Sequence, residues 1–127
     1  MICVPAHFVL RVMALEKETM TVVWLSADKR AAADMAFLYI RTSLLKRWWK
    51  SCELILWGPA VEAAAADPDI QYELALLKHL GAEITACEAC AVRYGVCDRL
   101  CALGIEVKGM SEHLTELLKG DTPLLLI

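Results

Sequence analysis

Short apolar runs alternate with amphipathic stretches along most of the chain. Met20–Leu25 (MTVVWL) is rich in β-branched residues and predicts a buried strand. Ser26-Ala27-Asp28 then supplies turn and N-cap chemistry. From Lys29 to about Arg47, Ala33, Phe37, Ile40 and Leu44 recur at helical spacing, with Arg30, Asp34 and Arg41 elsewhere, which predicts an amphipathic helix. Glu53–Trp57 (ELILW) predicts a second buried strand, stopped by Gly58-Pro59. An alanine-rich stretch leads to Asp67-Pro68-Asp69, which opens a helix carrying Ile70, Leu74 and Leu77.

The remainder repeats one unit: helix, glycine, short strand. Gly81 precedes Ala82–Ala86, Gly104 precedes Ile105–Val107, and Gly120 precedes Leu124–Ile127. A glycine just past a helix accepts the left-handed conformation that ends it, so each marks a helix-to-strand junction. Met110–Lys119 reads as a helix through Leu114, Leu117 and Leu118, with Ser111 as its cap. Alternating β and α with short apolar strands predicts an α/β fold, three-layer α/β/α, around a mainly parallel five-stranded sheet. Residues 1–19 read as an N-terminal extension, with Met1–Leu15 apolar and Glu16–Thr19 a polar break, and residues 20–127 as a single domain.

Composition sharpens this picture in two places. With 127 residues the chain is one domain, able to bury a core without covalent staples. Its hydrophobic fraction of 58% exceeds the usual ~45–50%, and the excess points to a subunit interface; Trp48-Trp49, beside Lys46, Arg47 and Lys50, is a candidate contact. A net charge of -3 favours neither nucleic acid nor an anionic membrane. No run approaches the ~20 apolar residues of a membrane helix. No basic region precedes Ile2, and His7 and Arg11 interrupt the first apolar stretch, so a signal peptide is not expected and the cytoplasm is. There thiols stay reduced, and six cysteines in such a chain point to chemistry rather than to a disulfide scaffold.

In an open parallel sheet, ligands gather beyond the carboxyl ends of the strands. Cys87, Cys90, Cys97 and Cys101 follow directly on the third predicted strand. Cys87-Glu88-Ala89-Cys90 is a C-x-x-C at a strand-to-helix junction, where free N–H groups stabilise an anion and lower a thiol's pKa. Cys87 is therefore the candidate nucleophile, and Cys90, one turn on, a candidate resolving thiol. Arg93 could add positive charge or bind an anion, whereas Glu88 works against it. Asp28, at the end of the first strand, is a weaker candidate for substrate binding. Trp57, Gly58 and Pro59 could wall a small pocket beside the cysteines.

Blander readings apply elsewhere. The spacing of Cys97 and Cys101 after Cys90 matches neither common zinc nor iron–sulfur patterns. Cys97 reads as an N-cap and Cys101 as an inward-facing packing residue, while Cys3 and Cys52 read as structural. His7, His79 and His113 fall on different elements without a metal-binding context. No metal and no cofactor are implied. Ser26 lies in no nucleophile elbow, and no glycine-rich phosphate cradle is present.

ELILWGPA, ITACEACAVRYGV, and LGIEVKGM with LTELLKG before a last apolar strand resemble the DsrE/DsrF-like sulfur-relay family, over about Met20 to Ile127. The most specific piece is a cysteine at the end of the third strand, followed by small residues, an arginine and Gly-Val. The resemblance implies a cytoplasmic α/β/α protein whose Cys87 carries a persulfide between donor and acceptor proteins. It also implies assembly as homo- or hetero-oligomers, often trimers or hexamers, and a homo-oligomer (dimer, trimer or hexamer) is expected here. Cys90 and the Cys97/Cys101 pair depart from the general pattern of sulfur carriers. A dithiol redox or sensor protein using Cys87 and Cys90 is the alternative, as is an oligomeric small-ligand binder with incidental thiols.

Overall fold

The structure, a computed structural model, describes residues 18–127. The extension Met1–Leu15, with Cys3 and His7, lies outside the described residues. Strand β1 (Thr19–Trp24) leads to a helical segment, α1, that starts as Lys29–Ala31, passes through a π-helical stretch Ala32–Phe37 and ends as Leu38–Leu45. Then come β2 (Ser51–Leu56), α2 (Pro59–Ala66), α3 (Pro68–His79), β3 (Glu83–Cys87), α4 (Glu88–Tyr94), α5 (Cys97–Ala102), β4 (Glu106–Lys108), α6 (Met110–Lys119) and β5 (Leu124–Leu126).

The five strands form one parallel sheet in the order β4-β3-β2-β1-β5. From β1 to β4 each connection steps the same way, and the last jumps back across the sheet to β5. Parallel crossovers are right-handed, so the first three connections cover one face and α6 covers the other. Side chains show the same division. Thr21 lies beside Glu53, which bonds His113 of α6. Trp24, three residues on, faces the opposite way and meets the Phe37 ring of α1 edge-on at 5.2 Å. β1, β2 and β3 are buried along almost their whole length, as a sheet covered on both faces requires.

Local details depart from the expected pattern for identifiable reasons. Ala33 is exposed, while Ala32, Ala36, Phe37 and Ile40 form the buried stripe of α1. The wider π turn holds more residues per turn and shifts the inward face by one position. α6 begins at Met110 behind Gly109 with no side-chain cap, so Ser111 falls inside the helix rather than capping it. Val96, not Cys97, occupies the N-cap of α5, and Cys101 is exposed rather than inward-facing. On that one-and-a-half-turn helix Leu100 takes the core position and turns its neighbour outward. Gly81 and Gly104 have φ of 105° and 76°, as expected at helix ends, but Gly120 has φ -90° and leaves α6 in extended backbone.

Candidate functional site

The strand order decides where a crevice opens. β3 and β4 are neighbours, yet α4 leaves β3 over one face and α6 leaves β4 over the other. Between their first turns lies a cavity of about 600 Å³, lined among others by Cys87, Glu88, Val92, Gly109, Met110 and Glu112. This is the switch point at which open α/β sheets hold ligands.

Cys87 is the last residue of β3 and the N-cap of α4. Its backbone is extended (φ -65°, ψ 119°), and its Sγ accepts the Cys90 N–H at 3.4 Å. A thiol thus fills the capping place that a serine or aspartate usually takes. The side chain is otherwise enclosed, with the residue 4% exposed. Burial pushes the Cys87 thiol above its ordinary value; the N–H groups of Cys90 and Ala89 pull it back, and the Cys90 thiol pushes it further up. The expected lowering is therefore reversed. Loss of water at this position outweighs the few donors that the short α4 supplies.

Cys90 is half-buried, and its Sγ accepts the N–H of Gly58 at 3.3 Å. Gly58 caps α2 with φ 63° and ψ -139°, a conformation open essentially to glycine alone, and Pro59 follows as the first helical residue. The end of β2 is in this way fastened to the second cysteine. Cys87, Cys90 and Gly58 come together, with Pro59 following Gly58 directly; Trp57, Asp28 and Arg93 stand apart. Trp57 lines a separate cavity of about 350 Å³ with Leu114, Leu118, Leu124 and Leu126. Asp28 caps α1, accepting the N–H groups of Arg30 and Ala31 at 2.8 and 3.1 Å. Asp28 does not line the Cys87 cavity, nor does Arg93, which is exposed on α4. Cys52 is buried, and desolvation, aided by the Glu53 charge, pushes its thiol up to about 12.

A polar network under α6 joins residues that no sequence motif links. The Glu53 carboxylate meets His113 Nε2 at 2.9 and 3.0 Å, accepts the Thr85 hydroxyl at 3.2 Å, and lies 3.7 Å from Lys108 Nζ. Glu53 is only 8% exposed, so these partners satisfy a carboxylate that burial would otherwise penalise. Lys108 is the register partner of Cys87, and Thr85 lies two residues before it. The network thereby ties β2, β3, β4 and α6 together. The signal was present: a glutamate inside an apolar strand needs partners. Among the described residues no group of three or more His, Cys, Asp or Glu is placed to hold a metal ion, and no helix is long and apolar enough to cross a membrane.

Comparison with known proteins agrees with this layout. The family described as DsrE/DsrF-like matches residues 19–124. A conserved protein of unknown function from Bacteroides thetaiotaomicron, BT1422, superposes with a TM-score of 0.84 at 34% identity, covering 87% of this chain and 95% of its own. The ychN protein from E. coli shares the fold with a TM-score of 0.62 at 18% identity, over 87% of this chain and 99% of that one. No curated protein matches the sequence.

Proposed function

This chain belongs to the DsrE/DsrF-like family, and on that premise we propose that it relays sulfane sulfur as a persulfide on Cys87. The observation that carries the reading is the placement of the Cys87 thiol. It lines the switch-point cavity and receives a backbone N–H from Cys90. Deprotonated Cys87 attacks the outer sulfur of a donor persulfide, R–S–SH. The donor S–S bond breaks, a new one forms on Cys87, and the donor leaves as a thiolate that takes up the Cys87 proton. Sulfur, with its oxidation state unchanged, then passes to an acceptor thiolate by the same displacement. A raised thiol pKa lowers the thiolate fraction but makes the thiolate that forms the stronger nucleophile.

Incubation with a sulfane-sulfur donor followed by intact mass measurement tests the reading. The wild type is expected to gain one sulfur, and Cys87→Ser none. No adduct on the wild type, or an undiminished one on Cys87→Ser, overturns it.

One contact favours a second reading, a dithiol couple. The Cys90 N–H on Cys87 Sγ places the two thiols in one helical turn. In this couple Cys87 and Cys90 close as a disulfide by exchange with an external disulfide, which leaves as two thiols, and external thiols reverse the step. A reversible two-electron transition without any persulfide would favour this couple over the relay. The proposal also takes the protein as cytoplasmic, where thiols stay reduced, and as a homo-oligomer. The exposed apolar residues Met35, Leu38, Trp48, Leu125 and Leu126, around an open cavity of about 440 Å³ beside β5, are the surface a second copy would cover.

A further inference from the structure

The side chains around the mouth of the Cys87 cavity carry charge of one sign. Glu88 opens α4 and Glu112 lies in the first turn of α6, so the two helices that part at the switch point each place an exposed carboxylate on the lining. Among the described residues no lysine, arginine or histidine lines it. The cations on the neighbouring elements β4, α4 and α6 are engaged or stand aside. Lys108 reaches under the sheet to Glu53 at 3.7 Å, His113 is held by the same carboxylate at 2.9 Å, and Arg93 is exposed on α4 away from the lining. Val92, 65% exposed, and Met110 supply an apolar wall between the carboxylates.

We propose that Glu88 and Glu112 set the specificity of the site. They repel small anionic sulfur donors, such as thiosulfate or hydropolysulfide, and admit a cysteine persulfide presented on a protein segment with basic flanking residues. The inference rests on the relay reading and deepens it. A free sulfur anion approaching Cys87 meets two carboxylates and, among the described residues, no cation on the lining. An R–S–SH group carried between lysines or arginines brings those cations to the carboxylates and meets an apolar rim. A cleft lined by one sign of charge raises the local concentration of its counter-charge about 10-fold or more and depletes the like charge. The arrangement is the opposite of an anion-binding site, in which Arg93 would have had to turn into the cavity.

The test compares two methanethiosulfonate reagents of like size, one bearing trimethylammonium and one sulfonate. Modification of Cys87 is read by fragment mass spectrometry on the full chain, and each rate is divided by that of the same reagent on mercaptoethanol. At low salt the cationic reagent is expected to be preferred by roughly tenfold. The preference should fall toward one in Glu88→Gln/Glu112→Gln, and in the wild type at about 1 M salt, where screening acts over ~3 Å. A ratio at or below one, or a ratio insensitive to both salt and the substitutions, overturns the proposal. In a second arm, persulfidated peptides with lysine flanks should load Cys87 faster than those with glutamate flanks; equal rates also overturn it. Failure of the relay reading looks different: Cys87 then stays unloaded with either peptide, while the reagents still report the charge of the cavity.

Discussion

The Sγ of Cys87 lies 3.4 Å from the backbone nitrogen of Cys90, and the Sγ of Cys90 in turn lies 3.3 Å from that of Gly58. Two thiols and two backbone donors from different elements thus form one short chain of contacts across the carboxyl ends of β2 and β3. The reactivity of Cys87 follows from what each link contributes.

Burial and the Cys90 thiol both hold the Cys87 thiol above its ordinary value. Its alkylation rate should therefore keep rising with pH past the point at which a free cysteine levels off. In Cys90→Ala the Cys90 N–H donor remains and the raising influence of its thiol is gone, so the midpoint should move down. A pH–rate profile by fragment mass spectrometry checks both; an upward shift in Cys90→Ala contradicts the assignment of causes.

Gly58→Ala should destabilise the fold by about 1–3 kcal/mol, the cost of placing a Cβ at φ 63° and ψ -139°. The nearest atom to the new methyl is the Leu25 carbonyl oxygen at 3.7 Å, so backbone strain rather than collision is the cause. Urea unfolding of the two proteins gives the difference. A change below a few tenths of a kcal/mol would mean that this turn relaxes freely.

His113→Ala removes the closest partner of a buried carboxylate and leaves Glu53 with Thr85 and a longer contact to Lys108. The expected loss is about 1–3 kcal/mol. Because the pair joins β2 to α6, hydrogen exchange should rise in α6 before it rises in α1. Uniform loss of protection would show that α6 does not open separately.

Cys52 is protonated in the folded protein up to about pH 12, against an unfolded value near 9. Its contribution is complete below pH 9 and is lost as pH rises from there toward 12, since the unfolded chain gives up this proton first. Replacing it by alanine should remove that part of the alkaline decline in stability. Thermal unfolding of both proteins at pH 8, 9 and 10 is the measurement, and parallel curves would remove Cys52 as a cause.

If Leu38 and Leu126 sit in a subunit contact, Leu38→Glu and Leu126→Glu should lower the mass found by sedimentation without altering the far-ultraviolet circular dichroism. Both side chains are already exposed in the single chain, at 44% and 57%, so the fold should tolerate the charge. An unchanged mass in both variants would place the contact elsewhere.

Local chemistry made most of the architecture legible. β-branched apolar runs are stable only as buried strands, Asp28 caps the helix that follows it, and glycines end the helices before β3 and β4. The position of Cys87 at the end of β3 followed from the same periodicity, because it depends on residues adjacent in sequence. What tertiary structure decided depends on residues far apart in the chain. Trp57 went to the α6 side and Arg93 stayed outside, since the direction of each side chain is set by packing against elements that spacing does not reveal. The thiol's pKa moved up because desolvation is a property of the assembled core, while the capping donors are local. Glu53, a single acidic letter in ELILW, acquired its meaning only when β3, β4 and α6 brought Thr85, Lys108 and His113 around it.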